Sequence, residues 1–465
     1  MREFKRATFA LRREDYQDLL KIIQDDNSNL ETLTTQSIKL EPERRGRRQG
    51  RWFKLARDIS RSIFNALRSS MVCECREPHR VNLELTMRPA DITPQDDDES
   101  IIQDFLFRIA LSFNSTSPKT NQAVWLWDEI ILQLAKRPGN QASTIAAASS
   151  SMASNKRAIK SVKFSMLGPR TGQTCCRNVM TQGQMSGNTV TALHPVMASL
   201  AIGTALGMSG SPENLPELID LCQVIRKSQK KGKSECYGFI LDPSSHKYRK
   251  YSVYPLGTCI GCDTWSTISL RDVLEEKASM QPPLNYRDRL RLAVVISSSV
   301  LQLYKTPWLS DTLTDNDIIF IRRNNMPLYD HVFVAKSLPE RGSSPPTAEN
   351  ARPIPIIRNP TLLALGILLI ELILAETFDI LRSPEDALAP DGMANILTDY
   401  MTATRLVDRV YQSAGANYGS AVRRCVHCEF NHQNPSLDDD GFRQDVYDGV
   451  IALLEEDLKN SQSLT

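Results

Sequence analysis

Two Cys-x-x-Cys pairs, Cys259/Cys262 and Cys425/Cys428, the second with His427 and His432 beside it, have the spacing most suggestive of chemistry in this chain. A structural zinc site needs four thiolate or imidazole ligands converging tetrahedrally, and two such pairs can supply them. The pairs lie far apart in sequence, however, and Cys425 and Cys428 fall in a helical pattern, AVRRCVHCEF, where thiols read as small core residues. No metal ligand is therefore expected among them. A second group is acidic: Asp311, Asp315 and Asp317 lie in LSDTLTDNDIIF, with Asp330 further on. Carboxylates near one loop can hold a divalent cation. Loop aspartates more often solvate the loop and cap its turns, and that reading is preferred. Trp308, directly after Pro307, reads as a core plug rather than an exposed recognition aromatic.

The 465 residues that must position these groups can bury a large apolar core and suggest two or three domains. A formal net charge of +2 supplies no global field, so nucleic acid is not an expected partner. The first residues, MREFKRATFALRREDYQDLL, lack the uninterrupted apolar core of a secretory signal, which points to a cytoplasmic protein. Ten cysteines are too sparse for a disulfide scaffold. The longest apolar run, Leu362 to Ala375, is broken by Glu371 and reads as a buried helix rather than a bilayer span.

Periodicity and composition delimit the first three segments of the chain. Residues 1–72 form a helical region, with helices over 14–24 and 30–38 separated by the breaker cluster DDNSN. A third, basic amphipathic helix follows the cluster Arg44, Arg45, Arg47 and Arg48. Trp52, Leu55, Ala56, Ile59, Ile63 and Leu67 form its apolar stripe, beside Arg51, Lys54, Arg57, Arg61 and Arg68. The stripe is expected to pack on neighbours with the arginines facing water; the alternative is binding to an anionic surface, whether membrane headgroups, nucleic acid or a calmodulin-like partner. Residues 73–137 mix strand and helix: VNLELTM and FLFRIALSF read as strands, and VWLWDEIILQLAKR as a strand running into a short helix. Residues 138–160 are an Ala/Ser-rich linker or loop, and SVKFSML just beyond is a short strand.

The order of elements from Glu213 onward resembles a eukaryotic protein kinase. ENLPELIDLC looks like the segment leading into the fourth kinase strand, and CYGFILD with KYRKYSVYPLG like the hairpin that ends at the hinge. STISLRDVLEE is similar to the short helix after the hinge, and LNYRDRLRLAVVISSSVLQLY to the long helix before the catalytic loop. TLLALGILLIELI, YGSAVRRCVHCEF and FRQDVYDGVIALLEEDL resemble later helices of the large lobe. The resemblance implies a reduced small lobe over 161–257 and a helical large lobe over 258–465, hence an α+β fold with a degenerate kinase-like domain.

That comparison also shows what is missing. Thr312 falls at the catalytic aspartate and Asp317 at the metal-binding asparagine, a one-residue shift bringing Asp311 into the catalytic slot. DHVFVAKSL, with Asp330 and His331, replaces the Asp-Phe-Gly stretch. GPRTG at Gly168 to Gly172 is a poor phosphate loop, MASLAIGTALGMSG has no Glu to pair a lysine, and Thr361 stands at a bracing aspartate.

ETLTTQSIKLEPERRGRRQGR, LQLYKTPWLSD and ALGILLIEL together resemble an uncharacterised filamentous-fungal family, a domain of unknown function with a kinase-like C-terminal domain. Its relatives often begin with a segment similar to HeLo-type domains, and the resemblance implies that this chain begins downstream of that segment, an incomplete gene model being the alternative. The expectation is a non-catalytic, pseudokinase-type binding or regulatory protein with an unidentified protein partner. No catalytic, cofactor-binding or metal-ligating residue is assigned, ATP is not an expected ligand and no cofactor is implied. The alternatives are a divergent metal-dependent phosphotransferase using Asp311, Asp317 or Asp330, and a membrane-surface signalling protein acting through the basic helix.

Overall fold

The structure, a computed structural model, describes residues 13–73, 75, 78–87, 98–103, 105–113, 127–135, 215–231, 235–244, 248–256, 265–276, 282–310, 313–323, 327–338, 356–386 and 396–463. All of them belong to one compact unit, 1–135 together with 215–465; the second unit, 136–214, with SVKFSML, lies outside the described residues.

Alternating apolar residues build one antiparallel sheet from β1 (His79–Leu85), β2 (Leu106–Phe113), β3 (Trp127–Leu134), β4 (Gly238–Leu241), β5 (Lys250–Pro255), β6 (Ser266–Ser269), β7 (Ile318–Arg322) and β8 (Val332–Leu338). The spatial order is β4-β5-β3-β2-β1-β8-β7-β6. β2 and β8 flank β1, with Val81 opposite Leu111 on one side and Lys336 on the other. Strands from the segments 73–137, 161–257 and 258–465 therefore share one sheet.

Period two sends Val81, Leu83, Ile109, Leu111, Ile130, Leu132, Phe320 and Val334 into the main core. Ala110, Trp127, Ile319, Ile321 and Phe333 form a smaller cluster on the opposite face. There Glu129 pairs with Arg108 at 3.0 Å and also with Arg323, whose guanidinium lies 4.9 Å over the Trp265 ring. A pair of arginines around one buried carboxylate satisfies a charge that would otherwise be costly to bury.

The main core is closed by helices. α1 (Arg13–Ser70) is continuous where two breaks were expected. Asp25, Asp26, Asn27, Ser28 and Asn29 each cost at most about 0.7 kcal/mol relative to alanine, too little to stop a helix that packing secures further along. The hydroxyls of Thr32, Thr34 and Thr35 each donate to the carbonyl four residues back. Leu19, Leu20, Ile22 and Ile23 remain exposed, whereas Trp52, Phe53, Ile59, Ile63, Phe64 and Leu67 are buried.

Not every arginine of that second half faces water. Arg57 is 7% exposed; its Nε donates to Leu301 O at 3.1 Å and its Nη2 to Leu437 O at 2.7 Å, and Asp438 lies 3.3 Å away. Burial pulls its pKa down to about 10. Arg61 donates to the Lys305 carbonyl at 2.9 Å. These arginines dock α1 onto the chain ends that follow α5 (Tyr286–Leu303) and precede α10 (Asp440–Val446).

Between β1 and α5, in chain order, lie α2 (Asp98–Gln103), α3 (Leu221–Lys231) and α4 (Leu270–Glu275). The short helix expected at the end of VWLWDEIILQLAKR does not form: β3 runs on through Leu134, and its branched and apolar residues stay paired with β2 and β5. Beyond the sheet come α6 (Pro360–Leu374), α7 (Phe378–Leu381), α8 (Ile396–Ala414), α9 (Ala416–His427) and α11 (Ala452–Ser463).

α6 is set by its ends: Asn359 accepts from Leu362 N, Pro360 occupies the first turn, and Ala375 ends the helix in the left-handed region. Ten of its residues are buried, Glu371 among them, in agreement with a buried helix. Gly366 lets α9 approach, since a Cβ there would lie 3.0 Å from Val426 Cγ2 and 3.2 Å from Cys425 Cβ. Among the described residues no helix is long and apolar enough to cross a membrane.

Trp308 is 1% exposed, stacks edge-on against Phe64 at 5.2 Å and donates from Nε1 to Ser60 O at 2.8 Å. Trp308→Ala leaves a cavity against α1 and strips that bond, so urea unfolding should show a loss of about 3–5 kcal/mol.

Candidate functional site

The chemistry-bearing residues of the 313–317 loop are organised by a turn. Asp317 Oδ2 accepts from Thr314 N at 2.8 Å and from Thr314 Oγ1 at 2.9 Å, while Asp317 N donates to Thr314 O. This is the turn-capping role expected of a loop aspartate. The turn displays Asp315 toward α4, where Arg271 N donates to Asp315 O at 3.3 Å.

α4 begins with a capping box: Ser269 Oγ accepts from Asp272 N, and Asp272 Oδ2 accepts from Ser269 N. That start fixes Arg271 at the mouth of a cavity of about 240 Å³, lined by the 313–316 turn, α6, α7 and the start of α8. Arg271 lies 2.5 Å from Asp379, 2.8 Å from Glu275 and 3.8 Å from Asp315. Arg382 is held between Asp379 and Asp399, the latter at 2.6 Å. The rim charges are thus largely paired with one another.

The floor differs. Glu371 projects from α6, is 3% exposed, and accepts at Oε1 from Phe378 N at 2.7 Å. Burial, reinforced by the nearby Asp315 carboxylate, pushes its pKa from the ordinary 4.5 up to about 8. Asp315 is also raised, by burial against the opposing pull of Arg271. Its Oδ2 is buried and accepts no hydrogen bond, with Arg271 Nη1 3.8 Å away. A protonated Glu371 presents a donor, and the Asp315 oxygens add acceptor positions. Leu313, Leu363, Ala364, Ile367 and Phe378 supply apolar wall around them.

The other expected positions are dispersed. Asp330 is exposed and 3.4 Å from Arg291, and His331 lies on the sheet, 2.5 Å from Glu84 and within reach of Arg108. Cys425 and Cys428 are buried core residues, Cys428 capping α9 at φ 51°. His427 bonds Tyr400 through its ring at 3.1 Å, and His432 lies 3.1 Å from Asp445. Asp311, Thr312, Cys259, Cys262, Gly168–Gly172 and MASLAIGTALGMSG lie outside the described residues.

Among the described residues, the group of three or more potential ligands that converges is a different one, Cys73, Cys75, His79 and Cys222. Sequence reasoning also passed over Arg271 as a site residue. Its signal, a cation in the first turn of a capped helix, is too common to stand out.

Residues 204–461 match the family described as Domain of unknown function (DUF7580), which is more than half of the chain. This chain belongs to that family. No curated protein and no solved structure matches it. Every residue lining the cavity lies inside the DUF7580 region, whereas α1 and strands β1, β2 and β3 precede it. The family region thus carries the pocket, and the residues before it carry three central strands of the sheet.

Because the folded-state pKa of Glu371 lies above its ordinary value, folding takes up a proton between about 4.5 and about 8. Its contribution to stability is therefore full below that window and is lost as pH rises through it. Glu371→Gln keeps the acceptor for Phe378 N and removes the titration. The decline in urea midpoint across that window should be shallower in the variant than in the parent protein.

Proposed function

We propose that this protein is a cytoplasmic, non-catalytic kinase-like protein that acts by binding, and that its pocket accepts a basic side chain of a protein partner. The observation that carries the reading is the buried, hydrogen-bond-deficient Asp315 Oδ2 beside Glu371, at the floor of a cavity with an apolar wall. Lysine and arginine have the matching shape, an alkyl stem that covers apolar surface and a cationic head that donates hydrogen bonds. The volume, about 240 Å³, falls below the ~300–1,000 Å³ of pockets that hold drug-sized ligands, which favours a side chain over a nucleotide.

The non-catalytic part of the reading draws its support from what the loop carboxylates are doing. Asp317 caps a turn, Asp315 faces Arg271, and Asp330 sits on the surface with Arg291. Phosphoryl transfer needs carboxylates that position metal and nucleophile together. The order of α4, α5, α6, α9 and the final helices supports the kinase-like part, as does the β4–β5 hairpin that precedes them.

Melting the full-length protein with N-acetyl-lysine amide and N-acetyl-arginine amide, against N-acetyl-norleucine amide, tests the pocket. The basic compounds should raise Tm, norleucine should not, and Asp315→Asn should abolish the shift. ATP with magnesium should leave Tm unchanged; a nucleotide site filled to a hundred times its Kd would add about 2.7 kcal/mol. Phosphorylation of itself or a generic substrate above a Thr312→Ala, Asp317→Ala control would overturn the non-catalytic reading and favour the phosphotransferase.

A further inference from the structure

The turn that leaves α1 carries Cys73 and Cys75, and β1 opens at His79, giving a Cys-x-Cys-x₃-His run. Cys222 stands in the first turn of α3, and an antiparallel bridge between Met71 and Asp220 holds the two chain segments side by side. The three sulfurs and one imidazole nitrogen lie within 4.8 Å of one another. Cys75 Sγ and Cys222 Sγ are 3.7 Å apart, and Cys73 Sγ is 2.9 Å from His79 Nε2.

These distances identify the chemistry. A tetrahedral zinc with Zn–S bonds of ~2.3 Å places two sulfurs ~3.8 Å apart, and a sulfur and an imidazole nitrogen ~3.5 Å apart. The observed sulfur edge matches directly, and the sulfur–nitrogen edge must open by only ~0.6 Å on metal binding. The sulfur separation far exceeds the ~2.05 Å of a disulfide. Three thiolates with one imidazole suit zinc rather than a hard cation such as magnesium or calcium, which takes oxygen ligands. His79 and Cys222 are buried while Cys73 and Cys75 are half-buried, so the group sits at the rim of the core.

We propose that Cys73, Cys75, His79 and Cys222 form a structural zinc site. Four protein ligands complete the tetrahedron and leave no position for substrate, which assigns the metal to folding rather than catalysis. Cys75 and Cys222 are 147 residues apart, and Cys222 alone of the four belongs to the DUF7580 region. The metal therefore ties the N-terminal strands to the family region. It closes a long chain loop where the end of α1, the start of β1 and the start of α3 come together, which removes conformational freedom from the unfolded chain.

The test is elemental analysis of the full-length protein purified from zinc-supplemented cells without chelator. About one zinc per chain is expected, lost in the Cys75→Ser, Cys222→Ser double variant. Cobalt exchanged into the parent protein should show thiolate-to-cobalt charge transfer and the ligand-field bands of tetrahedral geometry. His79→Cys, which retains four soft ligands, should still bind cobalt with stronger charge transfer, and this holds even where the double variant fails to fold. A chelator should lower Tm in the parent protein, with zinc restoring it. Substoichiometric zinc, zinc retained in the folded double variant, cobalt bands absent from the parent protein and His79→Cys, or a native Cys75–Cys222 disulfide by intact mass would each overturn the site.

Discussion

The pairing of β1 with β8 is the constraint on which the remaining architecture depends. Seven residues from His79 to Leu85 pair with Leu338 back to Val332, and they join a β1–β5 half of the sheet to a β6–β8 half. Remove that ladder and both halves gain an exposed edge, with unpaired N–H and C=O groups inviting aggregation. With it, one face of the sheet becomes a continuous apolar floor for α1 and α5, and the core is contiguous from Ile240 to Val334. A contact between segments some 250 residues apart is expensive in loop-closure entropy, although that cost rises only logarithmically with length. It is offset by interactions that fix the same segments independently. Arg57 bonds to carbonyls at Leu301 and Leu437, and Trp308 bonds to Ser60.

The pocket is a consequence of how α6 is buried. A helix apolar on nearly every side must pack against α5, α8 and α9 at once, and Gly366 and Cys425 permit the closest of those approaches. Glu371 is then carried inside with the helix, because its neighbours Ile370, Leu372 and Ile373 are fully committed to the core. A carboxylate in that position either finds a cation or takes up a proton. Arg271 is the nearest candidate, but Asp379 and Glu275 engage it more closely. The raised pKa of Glu371 follows from its burial, reinforced by the Asp315 carboxylate, which together outweigh the pull of Arg271.

Much of this was legible in the sequence, and the parts that were not share a cause. The strands at 79–85 and 106–113 and helices α5, α6 and α9 follow from the apolar patterns, and the β4–β5 hairpin from the kinase resemblance. Trp308 was readable as core because such a tryptophan more often plugs a core than stands exposed, and Cys425 because it falls in a helical pattern. The α+β character follows from the same patterns. What periodicity could not give was which strands meet. The pattern of β1 says that one face is buried, and nothing in it names β8 as a partner. Local composition also overstated the DDNSN breaker, since tertiary packing of the second half of α1 outweighs a few tenths of a kcal/mol per residue. Helix α8 went unread although Thr398, Thr402, Leu406 and Val410 recur at helical steps. Two of its six buried residues are threonine, both in the first half of the helix, which hides the period.

The cysteines make the same point in sharper form. Cys-x-x-Cys draws attention because two ligands arrive on one short loop, yet in α9 that spacing places Cys425 against Gly366 and Cys428 at the helix end. Convergence arises instead at Cys73, Cys75, His79 and Cys222, where the fourth group comes from a helix far along the chain. Ligand convergence is a tertiary property: it depends on the Met71–Asp220 bridge, which exists only once α1 and α3 are docked on the sheet. A local motif can supply two or three ligands, but the fold decides whether a fourth arrives. The same dependence runs the other way, because a metal held by all four groups would favour the docking that assembles them. Metal and sheet would then stabilise one another. The junction between α1, β1 and α3 would then join the N-terminal strands to the family region alongside the β1–β8 and β3–β5 pairings.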